Sequence, residues 1–258
     1  MSGKQTLLCI CAFLILCCGG LAQAADPAKT LRIAVDVPYP PFASQDKDGK
    51  LSGFDVDIAH AICEELGYTC DVQGMLFNAI IPSIVAGEID LGIAGMIPTE
   101  ERKKLVDFTN RYFRSVSIFV ERRGTFEKFN AENVKGTRVG AQTGTVQAKY
   151  LEDTYGDSIT LITVDAHDQT FQLLKNRDVD LILIDGLPAY AYLKSPQGQD
   201  LEIIGNALTP GGTTGWSCVA VTKEKPWLRD KVNQAIDTLR RNGKYGKINR
   251  KYFDFTIY

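Results

Sequence analysis

Hydrophobic and polar residues follow two different spacings along this chain, and stretches of the two kinds alternate. Short apolar runs, such as Leu31 to Val35 and Ile89 to Ala94, predict buried strands. Longer stretches with apolar residues three or four apart, such as Asp55 to Leu66, predict helices with one buried face. Further strands are predicted at 70–73, 106–108, 116–120, 138–141, 159–164, 181–184, 201–204 and 217–221. Further helices are predicted at 77–86, 100–105, 169–176, 187–194, 226–241 and 245–252, and one from Thr145 to about Tyr155. This alternation predicts an α/β protein.

One segment of the chain resembles another. Ile84 to Gly95 and Leu173 to Ile184 each read as a helix end, a polar turn, Asp-Leu and a buried strand. Any α/β unit can produce such a pattern, and the other interpretation is two similar lobes, each a sheet covered by helices. Ligands of such sheets bind beyond the carboxyl ends of the strands. Those ends are Gly95 to Arg102 in one lobe and Asp185 in the other, and a base facing an acid across a cleft suits a zwitterion.

The stretch from Gly95 to Arg102 breaks a local rule. Thr99 is predicted to cap the helix at 100–105, which places Arg102 in its first turn. A cation there opposes the helix dipole and stands where a capping box has Glu or Gln. An anion bound at the helix start would explain it. The alternative is a solvated Arg on a charged helix.

Composition and charge narrow the function. The chain has 258 residues, of which 45% are hydrophobic and 23% charged, so a packed globular protein is expected. The formal net charge is −2 and no basic stripe is present, which argues against nucleic acid as a partner.

The helix at 77–86 is predicted to bury four of its residues: Ile80, Ile81, Ile84 and Val85.

Residues 1–24 are predicted to be a signal peptide. Lys4 precedes an apolar run from Leu7 to Leu16, which is short for a membrane span, and the small residues Ala22 and Ala24 indicate cleavage after Ala24. Lipoprotein processing at Cys17 or Cys18 is the minor alternative. The mature protein is expected to be exported and soluble.

In an oxidising compartment two of the remaining cysteines can pair. The short helix-to-strand turn between Cys63 and Cys70 would bring those two together, leaving Cys218 as a buried thiol.

Taken together, several short motifs carry a resemblance to a known family. They are Leu31 to Asp36 with Pro41-Phe42, Gly53 to Asp57, Ile81 to Ser83, Gly95 to Arg102, Val106 to Thr109, Lys135 to Gly140 with Gly144-Thr145, and Asn242 to Phe253. In this order the chain resembles, over residues 29–258, the bacterial periplasmic polar amino acid-binding proteins of ABC transporters. Histidine-, lysine/arginine/ornithine- and glutamine-binding proteins belong to this group.

The resemblance implies a two-lobe periplasmic binding protein type II fold with a ligand cleft between the lobes. Lobe 1 would comprise residues 26–114 and 215–258, and lobe 2 residues 115–214. It also implies a disulfide between Cys63 and Cys70. The implied function is capture of a polar, basic or amide amino acid and its delivery to a membrane permease, by a monomer that is not an enzyme and uses no cofactor or metal.

The resemblance also implies roles for ten residues. Arg102 would hold the ligand's α-carboxylate, aided by the backbone N–H groups of Ile97, Thr145 and Val146. Asp185 and the Gly95 carbonyl would hold the α-ammonium. The ligand side chain would meet Asp36, Tyr39, Phe77 and Gln142. Ile97 departs from the usual Ser or Thr of the family, which removes a hydroxyl from the site.

Alternatives to these roles remain open. Tyr39 and Phe77 can be core aromatics, and Asp36 can simply cap its loop. His60 and His167 both lie in polar contexts typical of a surface and receive no role. A different function on the same fold is that of cyclohexadienyl dehydratases, which would need a general acid aimed at the leaving group. A receptor's sensor domain is a third hypothesis.

Overall fold

Two five-stranded sheets, each covered by helices, organise the chain. The computed structural model describes residues 29–127, 129–208 and 215–258, so the predicted signal peptide lies outside the described residues. The strands are β1 (Thr30–Asp36), β2 (Ser44–Gln45), β3 (Leu51–Ser52), β4 (Thr69–Met75), β5 (Leu91–Met96), β6 (Asp107–Ser115), β7 (Ser117–Arg122), β8 (Arg138–Gln142), β9 (Thr160–Val164), β10 (Leu181–Asp185), β11 (Leu201–Ile204) and β12 (Gly215–Val221). The helices are α1 (Phe54–Leu66), α2 (Phe77–Val85), α3 (Glu100–Leu105), α4 (Ala131–Val134), α5 (Val146–Tyr155), α6 (His167–Lys175), α7 (Gly186–Leu193), α8 (Pro226–Arg241) and α9 (Lys244–Tyr252).

The two sheets have the same topology. The first runs β4-β1-β5-β12-β6, and the second, read from its other edge, runs β9-β8-β10-β7-β11. In each sheet the first three strands are parallel and the last two pair antiparallel. The chain passes from the first sheet to the second at Val116 and returns between Ile204 and Gly215. The carboxyl ends of β1, β5, β8 and β10 therefore bring polar residues of both sheets to one region.

The repeated segment of the sequence is a repeated structure. At the same place in each unit, the backbone N–H of Asp90 donates to the carbonyl of Arg32, and that of Asp180 donates to the carbonyl of Arg138, both at 2.8 Å. Each aspartate also forms a salt bridge with that arginine, at 2.9 Å in the first unit and 2.7 Å in the second. A side-chain clamp thus fixes the start of β5 against β1 and the start of β10 against β8.

The hydrophobic core is divided in the same way. Three aromatic side chains that are fully buried, Phe42, Phe54 and Phe113, pack together between the first sheet and α1, α8 and α9. In the second sheet, Phe119 and Phe171 anchor the packing on the two faces. Within the described residues, no helix is long and apolar enough to cross a membrane.

The structure corrects two local predictions. The strand predicted at 106–108 is the much longer β6, because its residues pair with β12 from Asp107 to Ser115. Val85 was predicted to face inward, but its side chain is 54% exposed, whereas Ile80 and Ile84 are buried. Cys63 and Cys70 are disulfide-bonded across the turn from α1 to β4, and Cys218 is a buried free cysteine, as predicted.

The paired clamps predict unequal stability losses. The Asp90 side chain is 2% exposed and also accepts a hydrogen bond from Lys225, while that of Asp180 is 27% exposed. Because breaking a buried ion pair leaves its partners uncompensated, Asp90→Asn should lower the free energy of unfolding by about 2–4 kcal/mol. The matched variant Asp180→Asn should cost about 1 kcal/mol or less, since solvent screens its pair. Urea unfolding monitored by circular dichroism measures both values, and equal losses would contradict this account of the clamps.

Candidate functional site

A narrow cavity lies where the carboxyl ends of strands from the two sheets face each other. The ten residues singled out from the sequence all line it: Asp36, Tyr39, Phe77, Gly95, Ile97, Arg102, Gln142, Thr145, Val146 and Asp185. Five further residues complete the wall: Ala94, Gln147, His167, Leu183 and Ile184. In the described ranges no group of three or more His, Cys, Asp or Glu residues could hold a metal ion.

Arg102 is a cation held without an acidic partner. The Thr99 side chain accepts a hydrogen bond from the Arg102 backbone N–H, which caps α3 and fixes the arginine in its first turn. The guanidinium donates to two carbonyl oxygens, of Ile97 at 2.7 Å and of Gly144 at 2.9 Å, and lies 5.2 Å from the Phe77 ring centroid. In the part of the chain that the structure describes, no carboxylate lies within 4.0 Å of it. Burial lowers the pKa of Arg102 to about 10, so it remains charged and available to an anion.

Asp36 is a buried acidic residue in the cavity that Arg102 also lines. It ends β1 and is 1% exposed. One oxygen accepts a hydrogen bond from the Gln142 amide at 3.1 Å, and the other has no hydrogen-bond partner among the described residues. Burial raises the pKa of Asp36 to about 7 and outweighs the opposing hydrogen bond from Gln142. Because β1 and β8 belong to different sheets, this bond also joins the two halves of the molecule.

Asp185 supplies a second carboxylate, at the end of β10. Its side chain caps α7 by accepting a hydrogen bond from the Leu187 N–H at 3.0 Å. The Ser115 hydroxyl donates to the same oxygen at 2.5 Å. Burial raises the pKa of Asp185 to about 6, and hydrogen bonds from Ser115, Leu187 and Tyr39 oppose the rise. The carboxylate is therefore held in a fixed orientation at the cavity wall.

Gly95 lines the same cavity in a backbone conformation that favours glycine, with φ at +61°. Its N–H donates to the Tyr112 hydroxyl at 2.8 Å, which in turn donates to the buried Asp55 at 3.0 Å. The Ser217 hydroxyl donates to the Gly95 carbonyl at 3.2 Å. Burial raises the pKa of Asp55 well above its usual range. These hydrogen bonds hold both the N–H and the carbonyl of Gly95 in place.

The family model of bacterial extracellular solute-binding proteins, family 3, matches residues 31–255. The chain belongs to this family. It has the α/β, two-lobe type II periplasmic binding protein fold with a cleft between the lobes.

Two named relatives and one solved structure align with nearly the whole of this solute-binding protein. An L-arginine-binding protein of Pseudomonas aeruginosa is 33% identical over 238 residues, covering 91% of each chain. A histidine-binding periplasmic protein of Escherichia coli is 30% identical over 261 residues, covering 99% of each. The solved structure of an ancestral arginine-binding protein bound to arginine has a TM-score of 0.80 and 35% identity, covering 87% of this chain and 98% of that one.

Two details of the loop before α5 refine the sequence-based roles. The Thr145 N–H, which the resemblance implies in holding the ligand's α-carboxylate, donates to the Gln142 carbonyl at 3.3 Å. The Thr145 hydroxyl donates to the same carbonyl and accepts from the Ala148 N–H, which caps α5. Val146 is the first residue of α5, where backbone N–H groups have no acceptor within the helix. The Val146 N–H is therefore not used within α5, whereas the Thr145 N–H is used within its loop.

His167 corrects the interpretation of the two histidines. His60 is exposed, as predicted, but His167 is 3% exposed and lines the cavity. Its ring meets the Tyr39 ring edge-on, with centroids 4.7 Å apart. The surrounding residues are polar, which suggested a surface, but α6 begins at the carboxyl end of β9 and so faces the cleft. The rule that ligands bind beyond strand ends would have identified His167.

Proposed function

We propose that this solute-binding protein captures a polar amino acid with a cationic side chain, such as L-arginine, and delivers it to the permease of an ABC transporter. Catalysis is not part of the proposal. The names of the relatives, an L-arginine-binding protein and a histidine-binding periplasmic protein, support it. The observation that carries it is the set of charged residues in the cavity, which is lined by one base, Arg102, and two acids, Asp36 and Asp185.

Each charge of such a ligand would pair with one charged residue of the cavity. An α-carboxylate would offset Arg102, and an α-ammonium would offset Asp185, so a zwitterion leaves Asp36 as the remaining charge. A buried carboxylate is costly unless it meets a donor or a cation. A cationic side chain supplies that partner, whereas an acidic one would place like charges together and an aliphatic one would leave Asp36 unpaired.

The geometry of the donors and acceptors supports the same orientation. The guanidinium of Arg102 can pair with a carboxylate through two parallel hydrogen bonds, which an ammonium cannot reproduce. The carbonyl of Gly95 and the carboxylate of Asp185 both border the cavity where an α-ammonium would need acceptors. The side chain would then extend toward Asp36 and Gln142, beside the Tyr39 ring.

Ligand capture is proposed to proceed by closure of two lobes, residues 26–114 with 215–258 and residues 115–214. Several contacts already bridge these parts: Arg102 to Gly144, Gln142 to Asp36, and Asn78 to Asp165 at 3.2 Å. Arg102, the proposed partner of the α-carboxylate, lies in the first part and Asp185, the proposed partner of the α-ammonium, in the second, so hinge closure joins the half-sites. We expect a monomer in the periplasm, with the signal peptide cleaved near Ala24.

A calorimetric titration panel tests the proposed function. Purified protein, unfolded and refolded to remove any retained ligand, is titrated with L-arginine, L-lysine, L-histidine, L-glutamine, L-glutamate and L-leucine. A cationic amino acid should bind most tightly, because only it satisfies all three charged residues. Tightest binding of L-glutamate or L-leucine would overturn the proposal. As controls, Arg102→Lys should weaken binding of the best ligand by about 10-fold or more and Arg102→Ala by more still, since each removes the bidentate partner of the carboxylate.

Binding should also depend on pH in a defined direction. The pKa of Asp36 is about 7 and that of Asp185 about 6, so both carry protons at pH 5. A cationic ligand favours the charged carboxylates, and binding at low pH must therefore expel protons. The affinity for L-arginine should rise by about tenfold per pH unit for each proton expelled and level off above about pH 7.5. Titration calorimetry from pH 5 to 8 measures this, and affinity that is constant or that falls with rising pH would contradict it.

A further inference from the structure

His167 lines the cavity and is held in place by its neighbours. The proposed pairing of the ligand's charges with Arg102, Asp36 and Asp185 gives it no role. It is the first residue of α6, and the Thr170 hydroxyl donates to its backbone carbonyl at 2.7 Å. Its ring packs edge-on against Tyr39 from the first lobe and lies 5.7 Å from the ring of Phe171. These contacts fix the position of the imidazole, so its polar atoms cannot swing out to water.

One polar atom of this ring is unsatisfied. Nε2 of His167 is buried and has no hydrogen-bond partner among the described residues, and the same is true of one oxygen of Asp36. Both residues line the cavity, His167 from the second lobe and Asp36 from the first. An unpartnered buried polar group costs about 1–3 kcal/mol, and such groups are rare in folded proteins. A ligand with several donors would satisfy both atoms.

The protonation state of His167 determines what it can offer. Burial lowers the pKa of its imidazole to about 3, so the ring is neutral at physiological pH. A neutral imidazole has one N–H and one ring nitrogen that accepts. Beside a cationic ligand, the tautomer with its lone pair toward the ligand is favoured, because an N–H there would face other donors. His167 therefore adds an acceptor to the pocket without adding a charge.

We propose that Nε2 of His167 accepts a hydrogen bond from the ligand side chain and, together with Asp36, makes the site select a guanidinium over an ammonium. This inference rests on the proposed function. A guanidinium spreads five N–H donors over a rigid plane and can reach acceptors on both lobes at once. An ammonium carries its three donors on one nitrogen, so it pairs with the Asp36 carboxylate and leaves the imidazole unsatisfied. His167 is thus a residue that determines specificity within the cationic amino acids.

Two substitutions separate this role from packing. His167→Phe keeps an aromatic ring against Tyr39 and removes the acceptor, and it leaves no buried polar atom behind, so the variant should fold. His167→Gln keeps a neutral acceptor. Titration calorimetry of the wild type and both variants with L-arginine and L-lysine gives the ratio of the two affinities, and thermal unfolding without ligand verifies that each variant is folded.

The proposal predicts unequal effects on the two ligands. His167→Phe should weaken L-arginine binding by about tenfold or more, the value of a hydrogen bond to a charged group, and L-lysine binding by about threefold or less. His167→Gln should retain more of the L-arginine affinity than His167→Phe. Equal losses for both ligands, no loss, or identical behaviour of the two variants would overturn the role of His167. If the wild type binds neither ligand, the proposed function itself fails, and the two failures are therefore distinguishable.

Discussion

The site depends on a guanidinium that is kept charged although, among the described residues, no carboxylate forms an ion pair with it. Arg102 is anchored by two backbone carbonyls and the capped start of α3, so its fork is already oriented before any anion arrives. Opposite it, Asp36 and Asp185 are buried strongly enough to raise their pKa values. Opposite charges in one cavity that do not pair with each other are an energetic cost, which a ligand with complementary charges relieves. The proposed specificity follows from this separation of charge.

That separation is a consequence of topology. The two sheets repeat one strand order, and each repeat places polar residues just beyond the carboxyl ends of its strands. In the first sheet those ends supply Asp36 and the Gly95 loop, and in the second they supply Gln142 and Asp185. The clamps of Arg32 on Asp90 and of Arg138 on Asp180 fix the same strand in each repeat. The cavity is therefore lined by residues at equivalent strand ends of the two repeats.

Local sequence predicted what local chemistry determines. The Thr99 cap, the place of Arg102 in the first turn of α3 and the acid at the end of β10 all follow from neighbouring residues, and the structure has them. His167 was missed because its neighbours Asp165 and Asp168 suggest a polar surface, although it follows the end of the strand predicted at 159–164. Its burial arises only when the second lobe packs against Tyr39, a contact between residues far apart in the chain. The length of β6 was missed for a similar reason, since its pairing partner β12 lies about 100 residues away.

The most direct test of the account changes one charge in the cavity. Asp36→Asn preserves the size of the side chain and removes only its carboxylate, so the site would hold one base and one acid. Calorimetric titration of wild type and variant with L-arginine and with L-glutamine, whose side chain is a neutral amide, gives the relative affinity for a cation. The account predicts that the variant loses about 30-fold or more in L-arginine affinity and little in L-glutamine affinity, so that the preference for the cation disappears. An unchanged ratio of the two affinities would contradict the claim that Asp36 selects the charge of the ligand.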